Sequence, residues 1–193
     1  MFNWINFLAY VSVSAGTPGP NNIMSMSNGS RLGFKKAIPF NFGVLAGCSI
    51  TMTICALFCS VLSEVIPKIQ TPMQIAGACY MLYLAWKTFK SSSISENEDS
   101  KSDFLSGFLL QFVNPKTFIY GIVSMQSFII PVYGNNYLVL FLFALLLALL
   151  GFSFTLLWLL FGSTFKVLFS KYSKITNTIM ALLLVYCAIS IFF

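Results

Sequence analysis

Thr17-Pro-Gly-Pro-Asn-Asn22 and Gln111-Phe-Val-Asn-Pro-Lys-Thr117 are the two stretches on which the reading of this chain turns. Each interrupts a long apolar run with proline and amide side chains, and the second adds a lysine. Proline lacks an amide hydrogen and clashes with the carbonyl four residues back, so either stretch opens a helix and frees backbone polar groups. At ~1.5 Å per residue, Pro18 lies roughly 21 Å and Pro115 roughly 16 Å inside the helix that carries it. Irregular backbone at such depth in lipid is tolerated only where protein buries it or a watery cavity meets it.

The surrounding sequence makes lipid the expected solvent. Of 193 residues, 58% are hydrophobic and only 8% are charged, too little polar side chain to cover a soluble domain of this size. No charge occurs before Arg31, from Ala37 to Ser63, or from Thr117 to Phe165. The first two runs exceed the roughly 20 residues of a spanning helix, and the third must turn, with Pro131-Val-Tyr-Gly-Asn-Asn136 as the expected place. Six spans are expected, at about Trp4 to Met26, Ile38 to Leu62, Pro72 to Phe89, Phe104 to Ile130, Tyr137 to Leu160 and Tyr172 to Phe192. The start Met1-Phe-Asn-Trp carries no basic residue, so no cleavable signal peptide is expected and the first segment reads as a mature helix.

Charge sets the orientation. The connectors after spans one, three and five hold Arg31, Lys35, Lys36, Lys87, Lys90, Lys101, Lys166, Lys171 and Lys174, nine of the eleven basic residues, against Lys68 on the other side. The positive-inside rule then puts these connectors in the cytoplasm and both termini outside it. Residues 91–103 are polar and unpatterned, the expected cytoplasmic linker between a repeat at 1–90 and a repeat at 104–193. Three spans per repeat is an odd number, so the second repeat enters from the opposite side. The expected fold is a single all-α membrane domain, six transmembrane helices in two inverted triplets, with its breaks at corresponding positions.

Paired breaks are the strongest sequence pointer to a transporter's binding site. Pro18, Gly19, Pro20, Asn21, Asn22, Gln111, Asn114, Pro115 and Lys116 are therefore the expected substrate-binding residues. A reading in which the prolines only kink their helices leaves the four amides and the lysine beside them without a purpose. A lysine at mid-bilayer costs roughly 2.5 to 3.5 kcal/mol on insertion scales, so Lys116 should face the bundle interior or a cavity. Proton coupling would need a titrating group reachable from both sides, for which Lys116 and Glu64 are the candidates. Asn41, Gly43 and Gly47 read as close helix packing. Trp4, Tyr80, Tyr83, Trp86, Tyr133, Tyr137 and Trp158 read as interfacial belt or packing.

Other classes fit less well. The chain has no histidine, its five cysteines all lie in apolar segments, and no carboxylates pair within a span, which argues against a metal site, a disulfide framework and an intramembrane enzyme. The basic residues mark span ends and form no groove-sized cluster, so nucleic acid is not an expected partner. A channel would be expected to repeat charged rings.

These motifs resemble the LysE/RhtB amino-acid exporters over nearly the whole chain. The resemblance rests on Thr17 to Asn22, Gly29-Ser-Arg-Leu-Gly33 with Gly43 and Gly47, Ala76-Gly-Ala-Cys-Tyr-Met-Leu-Tyr-Leu-Ala-Trp-Lys87, and Gly107-Phe-Leu-Leu-Gln-Phe-Val-Asn-Pro-Lys116. Within the family, Thr17 to Ile23, Leu110 to Asn114 and Ala181 to Ala188 are most similar to the cysteine and O-acetylserine exporters. The resemblance implies a multi-pass protein of the bacterial inner membrane that exports such metabolites, with threonine, homoserine or lysine as alternative cargo. The implied partners are the amino-acid substrate and the lipid bilayer; a coupling proton, as against a facilitator without coupling, and a homo-oligomer are left open by the sequence, and no cofactor is expected.

Overall fold

The computed structural model describes residues 2–90, 104–134, 136–165, 173–190 and 192, and among these it is entirely helical. The two proline stretches each divide a helix. The first gives α1 (Trp4–Gly16) and α2 (Pro20–Leu32), and the second gives α5 (Phe104–Val113) and α6 (Pro115–Ser124). The unbroken elements are α3 (Phe34–Leu57), α4 (Cys59–Lys90), α8 (Tyr137–Thr164) and α9 (Ser173–Ser190), with a short α7 (Ile130–Tyr133) after α6. Between α6 and α7 the helix widens into a π turn at Met125–Ile129, beside Pro131, which has no amide to give the preceding turn.

Both divided helices restart in the same way. Gly19 and Asn114 take extended conformations as N-caps, and Pro20 and Pro115 occupy the first helical turn, where a missing amide costs nothing. The turn expected near Pro131 to Asn136 is present, with Gly134 at φ 56° and Asn136 capping α8 by accepting from the Val139 amide at 3.3 Å.

Several expected boundaries move. The first divided helix runs on to Leu32, so Arg31 ends a helix where a connector was expected, and α3 spans Phe34–Leu57 in place of Ile38 to Leu62. The polar stretch before Pro72, expected to be a connector, is helical within α4, which holds both Pro67 and Pro72. No glycine accompanies these two prolines, and helix formers flank them, so the chain resumes helical geometry after each missing bond. Glu64 therefore lies on α4 and not at the end of the second span. The expected linker 91–103, with Lys101, and also Lys166 and Lys171, fall outside the described residues.

Polarity runs inside out. The outer face of α8 presents Leu138, Leu142, Leu149 and Leu157, all more than half exposed, while α2, with Asn22, Ser25, Ser27, Asn28 and Ser30, is buried almost all round. Water would reverse that arrangement; lipid favours it. Two elements, α3 and α8, are each long and apolar enough to cross a bilayer.

The bundle is drawn together along two seams, α2 against α8 and α3 against α5, where glycine lets backbones nearly touch. A Cβ on Gly43 would strike the Phe104 carbonyl, one on Gly107 the Phe40 carbonyl, one on Gly162 the Met26 carbonyl, and one on Gly29 would lie 2.6 Å from the Leu159 carbonyl. Backbone cannot step aside as side chains do. A methyl at Gly121, by contrast, would meet only side-chain atoms of Cys55 and Met52 and the neighbouring Cys55 Cβ. Overpacking of this kind costs about 1–3 kcal/mol. Gly43→Ala and Gly107→Ala are thus expected to lower the unfolding temperature of the detergent-solubilised protein by on the order of 5 °C, and Gly121→Ala by distinctly less. Thermal denaturation followed by intrinsic fluorescence measures it.

Candidate functional site

The first break leaves the last carbonyls of α1 short of donors, because neither Pro18 nor Pro20 can bond back to Ser14 or Gly16. The structure supplies a replacement for each. Thr17 Oγ1 donates to the Ser14 carbonyl at 3.2 Å, and Trp158 Nε1 donates to the Gly16 carbonyl at 3.2 Å from α8. Asn22 spends its amide nitrogen on the Ala15 and Thr17 carbonyls, at 2.8 and 2.9 Å. Asn22 is thereby a clamp across the break. Trp158, expected in the interfacial belt or as packing, is a backbone partner instead.

The remaining partner comes from the second break. Lys116 Nζ donates to Thr17 Oγ1 at 2.9 Å, to the Thr17 carbonyl at 3.2 Å and to the Pro18 carbonyl at 3.5 Å. All three acceptors within reach of the ammonium thus belong to the first break. Gly19 makes this approach possible, since a Cβ there would sit 3.2 Å from Lys116 Nζ. The Lys116 amide in turn donates to Asn114 Oδ1 at 3.1 Å, which caps α6.

A second bond pair joins the breaks. Asn21 Nδ2 donates to Gln111 Oε1 at 2.9 Å, and Gln111 Nε2 donates back to Asn21 Oδ1 at 3.0 Å and also to the Gly107 carbonyl at 3.0 Å. Thr117 Oγ1 adds a bond to Gln111 Oε1 at 3.3 Å. Gln111 is fully buried, and Gly47 makes the room for it: a Cβ on Gly47 would fall 2.8 Å from Gln111 Cγ. Removing Asn21 would leave polar atoms of the buried Gln111 unmet, a cost of about 1–3 kcal/mol.

A cavity of about 60 Å³ opens where the breaks meet. That is room for about four water molecules. Seven of the expected residues line it: Gly19, Pro20, Asn21, Asn22, Gln111, Asn114 and Lys116. Pro18 and Pro115 shape the backbone but are not in the wall, and Glu64 stands exposed on α4, away from it. Lys116 is the single charged side chain among the lining residues. The N-termini of α2 and α6 both start here, so their partial positive ends add to its field.

Sequence reasoning missed the rest of the wall. Ser14 and Ala15 come from the end of α1, Val44 and Cys48 from α3, and Thr117 and Tyr120 from α6. Gly151 and Thr155 come from α8. Those on α3 and α8 sit within apolar helices, where only the packing of α3 on α8 distinguishes them from their neighbours. Tyr120 is held in place by donating to the Leu147 carbonyl at 3.1 Å.

Comparison with known proteins supplies the family. The pattern that defines the LysE type translocators matches residues 12–193. A cysteine/O-acetylserine efflux protein of Salmonella typhimurium (strain LT2) is 38% identical over 189 residues, covering 97% of this chain and 96% of the relative. One of Escherichia coli (strain K12) is 35% identical over 188 residues, with the same coverage. No solved structure matches. The likeness spans both helix breaks and the cavity between them, and the chain belongs to the LysE family of membrane translocators, a transporter and not an enzyme.

Proposed function

We propose that this protein exports a small zwitterionic amino acid or derivative, cysteine, O-acetylserine or a near relative, from the cytoplasm across the bacterial inner membrane. The observation that carries the reading is the ammonium of Lys116 lying on the freed carbonyls of Thr17 and Pro18 beside a small cavity. Lys116 occupies the place a substrate ammonium would take. An arriving zwitterion offers its own ammonium to those carbonyls and its carboxylate to Lys116, the Asn114 amide and the helix N-termini. The exchange brings no net charge into the bundle. A lysine or arginine cargo would bring one, and no acid lines the cavity to meet it.

In this reading the chain crosses the bilayer six times as two inverted triplets, residues 1–90 and 104–193 around the linker 91–103, with both termini outside the cytoplasm. The divided helices α1–α2 and α5–α6 open the triplets, followed by α3 and α4 in one and α8 and α9 in the other. In that topology the glycine seams lie toward the cytoplasm, and their close backbone contact would close that side of the cavity. On the opposite side Gly16 meets the Phe154 ring and Gly121 meets chiefly the side chains of Cys55 and Met52, contacts that slide more easily. Alternating access proceeds by parting the seams and rocking one triplet on the other. Ser27 Oγ and Asn41 Nδ2, buried there without a hydrogen-bond partner among the described residues, gain water when the seams open, which offsets part of the cost. A coupled proton would travel on Lys116, the charged group at the cavity, in preference to Glu64.

Two measurements test this. Vesicles holding the purified protein should move labelled cysteine and O-acetylserine but not cysteamine, which lacks the carboxylate. Lys116→Met should cut transport at least tenfold and Lys116→Arg less; full transport with intact carboxylate selectivity in Lys116→Met would remove the assignment. For orientation, Ser27→Cys in a background without native cysteines should react with a membrane-impermeant thiol reagent from the cytoplasmic face during turnover. Reaction from the outer face alone would reverse the proposed topology.

A further inference from the structure

Gly151 differs from the glycines of the seams. Where Gly43, Gly107, Gly162 and Gly29 have a neighbouring backbone in the way of any side chain, a Cβ on Gly151 would meet nothing nearer than Cys48 Sγ, at 4.0 Å. Alanine would fit there and would stabilise the helix, since glycine gives up more chain freedom on folding. The absent side chain therefore serves something other than helix packing. What it leaves is space, and that space is part of the cavity.

The shape around it is a notch. Along the inner face of α8, Leu147 lies one turn before Gly151 and Thr155, which lines the cavity, one turn after, and both are buried. Cys48 and Val44 on α3 form the facing wall, and Tyr120, fixed to the Leu147 carbonyl, contributes from α6. No charged group belongs to this part of the lining; the charge and the amides come from the helix breaks. One cavity thus has a polar part built from α2, α5 and α6 and a weakly polar part built chiefly from α3 and α8.

We infer that the notch between Cys48 and Gly151 is the subsite for the substrate's side chain, and that the missing side chain at Gly151 sets the length of side chain the transporter accepts. The inference rests on the export reading above and adds a specificity-determining position to it. It fits a short uncharged group, such as a thiol or a small ester, and excludes long basic and aromatic side chains.

The test is a size series in vesicles containing the purified protein, with serine, cysteine, O-acetylserine and leucine as labelled cargo. Gly151→Ala should lower the ratio of O-acetylserine to cysteine transport at least tenfold, without lowering the unfolding temperature. Gly151→Leu should stop both. Cys48→Ala should admit leucine, and combined with Gly151→Ala it should restore O-acetylserine, because the sulfur removed on one wall makes up for the methyl added on the other. A folded Gly151→Ala protein with unchanged selectivity, or a double variant without restoration, would overturn the subsite while leaving the export reading standing. Wild-type protein that carries none of these amino acids would overturn the export reading itself.

Discussion

A carbonyl that loses its helical amide deep inside an apolar bundle must receive another donor, and that demand organises this molecule. Pro18 and Pro20 create the deficit at the end of α1. Thr17, Asn22, Trp158 and Lys116 meet it, one from the break itself, one from the start of α2, one from α8 and one from α6. Because the donors come from separate elements, satisfying the backbone also fixes where those elements stand. The two breaks could not drift apart without exposing several polar groups to a medium that cannot solvate them.

The same demand explains why a strongly polar helix lies at the centre of the protein. With its serines and asparagines, α2 is a poor match for lipid, yet it begins at the break and must remain there. Burying it needs close neighbours, and on the side of α8 Gly29 and Gly162 let the two backbones nearly touch. Packing and site are therefore coupled: the glycine that seats Gln111, Gly47, lies one turn from Gly43, which brings α3 against α5. Function draws on this economy. In the proposed mechanism the donor that completes the backbone at the break, Lys116, is also the group that trades partners with a zwitterion, so that binding would substitute one ammonium for another in place of creating a site from nothing.

How much of this was legible in the sequence depended on whether the signal was local. Proline acts on the backbone whatever surrounds it, so the breaks at Thr17 to Pro20 and at Asn114 could be read directly. Amides and a lysine within apolar runs stood out for the same reason, and Asn21, Gln111 and Lys116 do come together. Pro72, read as the start of a span, misled, because whether a proline stops a helix or only bends it depends on flanking residues and on available partners. Trp158 read as belt or packing from composition alone, while its indole donor is committed to Gly16. Cys48, Tyr120, Gly151 and Thr155 gave no signal, since in an apolar helix the face that turns to a cavity and the face that turns to a neighbour have the same composition.

The central claim is that the two helix breaks share one cavity, and its most direct test is proximity between Asn21 and Gln111 in the membrane. In a background without native cysteines, Asn21→Cys with Gln111→Cys should be joined rapidly by a short bifunctional thiol reagent, and substrate should slow the reaction by occupying the space between them. Failure to cross-link while either single cysteine remains reactive would contradict the account.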